Sequence, residues 1–163
     1  MIEIRKAKLR DVENISKMRK DFMKTQLNIM KRSSPEHIND FDEKTNSQKI
    51  FKNFLKRQIF SKNGLVLIAE CDKKIAGFAF FIIQKNIPLF KLDKYCEILD
   101  MYVKEEFIGK GISTRIKESA LKWCKTKGIS KIALRVLPNN SHAKGIYKKW
   151  GFSDFLIEMR MNI

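Results

Sequence analysis

Gly109-Lys110-Gly111 stands between an apolar run that ends at Val103 and an amphipathic run that begins near Ile112. Glycines at such a junction let the backbone come close to a ligand, and the first-turn amides of the helix that follows lack partners of their own. The helix dipole adds roughly half a positive charge at that end, so the corner suits a phosphate or pyrophosphate. Ser113 and Thr114 offer hydroxyl donors there, and Lys110 and Arg115 offer charge. A tight turn before an ordinary helix would carry the same two glycines. The chain has no G-x-x-x-x-G-K-S/T and no G-x-G-x-x-G after this strand, which disfavours a P-loop and a dinucleotide fold. A second cluster lies downstream. Asn140, Ala143 and Tyr147 fall on one helical face at spacings of three and four, and Trp150-Gly151-Phe152 follows.

The elements that must position these residues follow from periodicity. Residues 2–7 alternate as a half-buried strand. Asp11 offers an N-cap to a helix carrying Val12, Ile15, Met18 and Phe22, which should run to about Leu27. Residues 33–46 are polar and loop-like, and Ile50, Phe51, Phe54, Leu55 and Ile59 mark a second helix. Leu65–Ala69 and Ile75–Ile83, joined by a short polar link, predict an antiparallel hairpin. Tyr95–Val103 reads as the next strand, then a helix with Ile112, Ile116, Ala120 and Trp123 on one face, closed by Gly128. A strand at 132–136, a helix at 141–150 and a final alternating strand through Phe155, Ile157, Met159 and Met161 complete the order β-α-α-β-β-β-α-β-α-β. The crossover from 95 to 136 requires two parallel strands inside an otherwise hairpin-connected sheet. The expectation is one domain over residues 1–163, mixed α/β (α+β), with helices on both faces.

Composition narrows the class. The apolar share of 44% is too large for a disordered chain. The longest apolar stretch, Ile75–Ile83, falls well short of the roughly 18–20 residues a membrane span needs. Three cysteines spaced far apart and two histidines disfavour a zinc site or a disulfide framework, so a cytoplasmic, reducing environment is expected, with no metal and no membrane partner. Lys and Arg number 34 against 18 Asp and Glu, a net charge of +16, but the lysines are scattered along the whole chain. That charge suits an anionic ligand. It permits a nucleic-acid partner without calling for one.

On these two motifs the chain resembles the GNAT superfamily of N-acetyltransferases. The family's first signature, Q/R-x-x-G-x-G/A between strand and helix, corresponds to Ile108-Gly109-Lys110-Gly111-Ile112-Ser113. Its second, N-x-x-A-x-x-x-Y-x-x-x-G-F, is matched at Asn140, Ala143, Tyr147, Gly151 and Phe152. Ile108 departs from the usual Gln or Arg and Ser113 from the usual Gly or Ala; neither change removes a backbone amide. The resemblance implies a GNAT-like sheet of about six to seven strands whose central pair, 95–103 and 131–137, splays apart to admit acetyl-CoA. It implies that the pantetheine arm pairs with backbone near Met101 and Val103, that the pyrophosphate sits on amides of residues 108–114, and that Asn140 belongs to the same site.

In this family an amine usually attacks the thioester directly, which calls for a neutral amine, a stabilised oxyanion and a proton for the leaving thiolate. Tyr147 matches the position whose hydroxyl faces the CoA sulfur, as general acid. Glu97 and Asp100 are the candidate bases; strand alternation puts them on opposite faces unless a bulge intervenes. The acceptor expected is a primary amine of a small molecule or a protein, shaped by residues 20–60, where Asp40-Phe41-Asp42-Glu43 could recruit a cationic amine or simply be solvated. A catalytically weak acyl-CoA-binding module, or an acetyltransferase acting on a ribosomal protein or charged RNA, are the competing readings. A homodimer is compatible with all of them.

Overall fold

The computed structural model describes residues 1–163. Its elements are β1 (Ile2–Lys6), α1 (Val12–Ser33), α2 (Ser47–Phe60), β2 (Gly64–Cys71), β3 (Lys74–Lys85), β4 (Lys94–Val103), α3 (Ile112–Thr126), β5 (Ile132–Leu134) and α4 (Ser141–Lys149). The strands lie in the order β1-β2-β3-β4-β5; the first four are mutually antiparallel, and β5 runs parallel to β4. No helix is long and apolar enough to cross a membrane.

β2 and β3 are buried on both faces, which explains why they read as continuous apolar runs rather than alternating ones. Leu65, Leu67, Phe81, Cys96 and Ile98 pack with Ile112, Ile116, Ala120 and Trp123 of α3. On the other face Val66, Ile68, Phe78 and Phe80 pack with Val12, Ile15 and Met18 of α1 and Leu55 of α2. Phe78, Phe80 and Phe81 are fully buried, worth about 2–3 kcal/mol each in surface removed from water. Asp72 and Lys73, both at positive φ, make the two-residue turn between β2 and β3.

Several expectations change. α1 continues past Leu27 to Ser33, because Met30 is buried and extends the apolar stripe until Pro35 ends it; residues 35–41 are then wound as 3-10 turns rather than open loop. Asp11 stands before α1 but does not cap it. Its carboxylate accepts instead from Lys8 N (2.7 Å) and from both Arg5 terminal nitrogens (2.7 and 2.8 Å), pinning β1 to the helix entry.

The sheet has five strands, not six or seven. The segment through Phe155, Ile157, Met159 and Met161 alternates as a strand would, yet each of these side chains is exposed and pairs with no strand. Alternation supplies only one half of a ladder. The available edge, β5, has three paired residues, and Arg160 is drawn to Asp40 (2.7 Å) instead.

Candidate functional site

The corner before α3 is built from backbone. Ile108 N donates to Glu105 O (3.1 Å) and Arg115 N to Gly111 O (3.2 Å); the six amides between them, Gly109 to Thr114, have no acceptor in the protein. Gly109 (φ 83°) and Gly111 (φ 76°) occupy the left-handed region that makes this turn, and Gly111 caps α3. Buried Ile112 anchors the first turn, and that turn carries no acidic residue. Six free amides at a helix N-terminus are an anion cradle. Ile108, the departure from the family pattern, projects into solvent. Lys110 rests over the Phe107 ring (5.0 Å), beside the cradle, whereas Arg115 turns away to Ile2 O (3.2 Å). Ser113 and Thr114 are half-buried.

From the cradle the site runs along β4. The β4–β5 ladder consists of Cys96↔Ile132, Glu97↔Ala133 and Ile98↔Leu134, and there it stops. The outer edge of β4 from Leu99 to Val103 therefore faces no strand, and the chain diverges from it past Leu134. This is the expected splay, with Met101 and Val103 on its open edge. A cleft occupies the gap, walled by Leu99, Met101 and Leu134 from the strands, Val136 just past β5, Phe22 and Gln26 from α1, and Ala143 and Tyr147 of α4 with its N-cap Asn140.

Asn140 holds α4 in place: its Oδ1 accepts from Ala143 N (3.1 Å), an N-cap. Tyr147 is locked edge-on between Trp150 (5.7 Å) and Phe152 (5.9 Å), and no protein group bonds its hydroxyl. Burial pushes the phenol above its ordinary range, so it keeps its proton at neutral pH. His142 is exposed on α4 and does not line the cleft.

The two carboxylates share a face because of a bulge. Ile98 pairs with Phe81 and Asp100 with Phe80, leaving Leu99 unopposed. Glu97 pairs with Ile82, two residues from Phe80, so Glu97 and Asp100 both point to the α1 side. Neither lines the cleft directly. Glu97 is buried, accepts from Gln84 Nε2 (3.1 Å) and lies 3.7 Å from Arg135, which does reach the cleft. Asp100 is mostly buried and accepts no hydrogen bond from the protein; Arg19 Nε stands 3.7 Å away. Burial raises the Asp100 carboxyl above the usual range, with Arg19 opposing.

The Asp40–Glu43 cluster is largely neutralised. Glu43 accepts from Arg19 (2.6 Å) and Ser47 (2.8 Å), and Asp40 pairs with Arg160. Sequence reasoning did not single out Arg19, Gln26, Gln84 or Arg135. Arg19 had a signal: it falls four residues after Ile15 on the buried stripe of α1, where a cation needs a partner.

The chain matches the acetyltransferase (GNAT) family over residues 27–152. A spermidine N(1)-acetyltransferase of Thermoplasma acidophilum is 29% identical over 167 residues, spanning 98% of this chain and 97% of that protein. Among solved structures, a predicted acetyltransferase of Clostridium acetobutylicum crystallised with acetyl-CoA superposes with a TM-score of 0.77 at 21% identity, covering 99% of this chain and 96% of that one. AAC(6')-Iy, in complex with a bisubstrate analogue, superposes with a TM-score of 0.72 at 16% identity, covering 100% and 99%. At those identities the two structures speak for the fold alone. The family match covers most of the chain, and the cradle and the splayed strands lie where the two motifs pointed: the protein belongs to the GNAT family of acetyltransferases, whose co-substrate is acetyl-CoA.

Proposed function

We propose that this enzyme moves the acetyl group of acetyl-CoA directly to a primary amine of a small, cationic acceptor. The observation that carries this reading is the opening of the β4–β5 ladder at Leu99, with the Tyr147 hydroxyl unpaired beside it and the six free amides of 109–114 at one end. The amides suit the diphosphate of the co-substrate, and the free edge at Met101 and Val103 suits its amide-bearing arm. Co-substrate binding supplies an activated thioester; the chain supplies orientation and proton transfer.

Tyr147 gives its proton to the departing sulfur as the C–S bond breaks and the C–N bond forms. The proton lost by the amine goes to a carboxylate behind β4, through water. Asp100 suits that task better than Glu97. Its oxygens accept no hydrogen bond from the protein and burial favours its protonated form, whereas Glu97 is engaged by Gln84. The full-length similarity to a spermidine acetyltransferase supports a polyamine as that acceptor.

The test is thiol release from acetyl-CoA with an amine panel: spermidine, spermine, an aminoglycoside and a peptide with a free N-terminus. Saturable release with a polyamine supports the reading. Release with the peptide alone replaces the acceptor, and none with any amine removes the activity in favour of a binding module.

A further inference from the structure

We propose that Arg19 is a positioning residue of the transfer site, placing its guanidinium against the Asp100 carboxylate behind the cleft. This rests on the assignment of Asp100 as proton acceptor. The guanidinium is clamped on three sides. Its Nη1 donates to Glu43 Oε1 (2.6 Å), its face lies over the Phe51 ring of α2 (4.6 Å), and its Nε approaches Asp100 Oδ2 at 3.7 Å. Glu43 is itself fixed by Ser47 Oγ (2.8 Å) at the start of α2. One side chain of α1 thus ties together β4, α2 and the turn before α2. A planar, forked cation can stack and pair at once, as an ammonium cannot.

The charges around Asp100 leave Arg19 without a substitute. On β4 the same face carries Glu97, already engaged by Gln84 and Arg135, and Tyr102. Asp21 of α1, with Glu105 and Glu106 after β4, acts on Tyr102. β3 presents Phe80, and α2 presents Phe51 and Phe54. A mostly buried carboxylate with a single cation beside it changes protonation when that cation is removed, because nothing else offsets its desolvation. Arg19 therefore sets the pH at which Asp100 can take a proton from the acceptor.

The test is a carboxyl titration on full-length protein labelled with 13C-aspartate, Asp100 being assigned with Asp100→Asn. In Arg19→Gln the Asp100 midpoint moves up by about one pH unit or more; in Arg19→Lys, which keeps the charge and protects folding if Gln does not, it falls between Gln and wild type. In thiol release with spermidine, the acidic limb of kcat/KM moves with the midpoint, whereas a merely structural role would lower kcat/KM evenly across pH. An Asp100 midpoint unchanged in both variants overturns the proposal. A wild type that releases no thiol with any amine overturns the functional reading instead, and the titration still decides Arg19.

Discussion

Gly111 offers the sharpest separation of site from scaffold. Its φ of 76° is one that L-residues adopt at a cost of about 1–2 kcal/mol. Alanine also restricts the unfolded chain, which offsets about 0.4–1 kcal/mol of that. A Cβ built at Gly111 meets nothing within 4 Å, so no steric cost adds to the backbone strain. Gly111→Ala should therefore lose about 1 kcal/mol, lowering Tm by about 2–4 °C in a chain of this size. Its functional cost should be larger. The new methyl stands in open space beside the six free amides, and losing even one charge-assisted hydrogen bond of about 1.5–3 kcal/mol weakens anion binding roughly tenfold or more. Gly64 is the control. Its Cβ would fall 2.6 Å from Gln58 O, a backbone clash worth about 1–3 kcal/mol or more, beside Thr126 and Lys127 at the opposite end of α3 from the cradle. Thermal unfolding and acetyl-CoA titration of both variants give the comparison. Expected is a small Tm loss with at least tenfold weaker binding in Gly111→Ala, and a larger Tm loss in Gly64→Ala. Unchanged acetyl-CoA affinity in Gly111→Ala would refute the cradle.

Two other outcomes follow from the Tyr147 contacts and from the Arg5–Asp11 pair. Tyr147→Phe keeps both ring contacts and breaks no protein hydrogen bond, so kcat should fall at least tenfold while Tm and acetyl-CoA affinity barely move; an unchanged kcat at saturation takes the phenol out of the reaction. Arg5, bonded to Asp11 and Glu70, holds the Asp11 carboxyl below its ordinary range. A depressed carboxylate contributes stability that is complete above the unfolded value near pH 4 and is lost as pH falls through the folded value. Stability of the wild type should accordingly drop below about pH 4. Arg5→Ala, which strands a buried carboxylate, should cost about 3 kcal/mol at pH 7 and flatten that acid dependence; chemical denaturation at several pH values measures both.

The helices and the hairpin were legible because their apolar periodicity is local. Ile112, Ile116, Ala120 and Trp123 can face a sheet in only one way, and α3 forms where they predict. The cradle was legible for the same reason, since two glycines before a helix define it without reference to anything distant. The C-terminal segment shows the limit. Phe155 to Met161 has strand periodicity, but a strand exists only when another strand offers an edge of matching length, and nothing within the segment records that β5 pairs over three residues. Asp11 failed differently: an N-cap residue type was present, yet Arg5, six residues back, outbid the helix amides with two charge-assisted bonds.

That Glu97 and Asp100 share a face could be foreseen only on condition of a bulge in β4, and one residue explains why. Counting alternation along β4 puts Glu97 and Asp100 on opposite faces, and no feature of Leu99 itself announces that it will be skipped by β3. The skip is decided by register on both sides. β3 must place Phe80 toward α1 and Phe81 toward α3, both fully buried, and β4 must place Ile98 and Met101 toward α3 while surrendering β5 at Leu134. Those demands are compatible only if β4 has one residue more than β3 between them. The extra residue then does two things at once: it turns Asp100 to the side where Arg19 waits, and it lies immediately after the last β4–β5 pair, at the mouth of the cleft. The opening between the strands and the pairing of carboxylates on one face are thus a single geometric event, fixed by long-range packing of Phe80 and Phe81, so no window of sequence around Glu97 and Asp100 could have contained it.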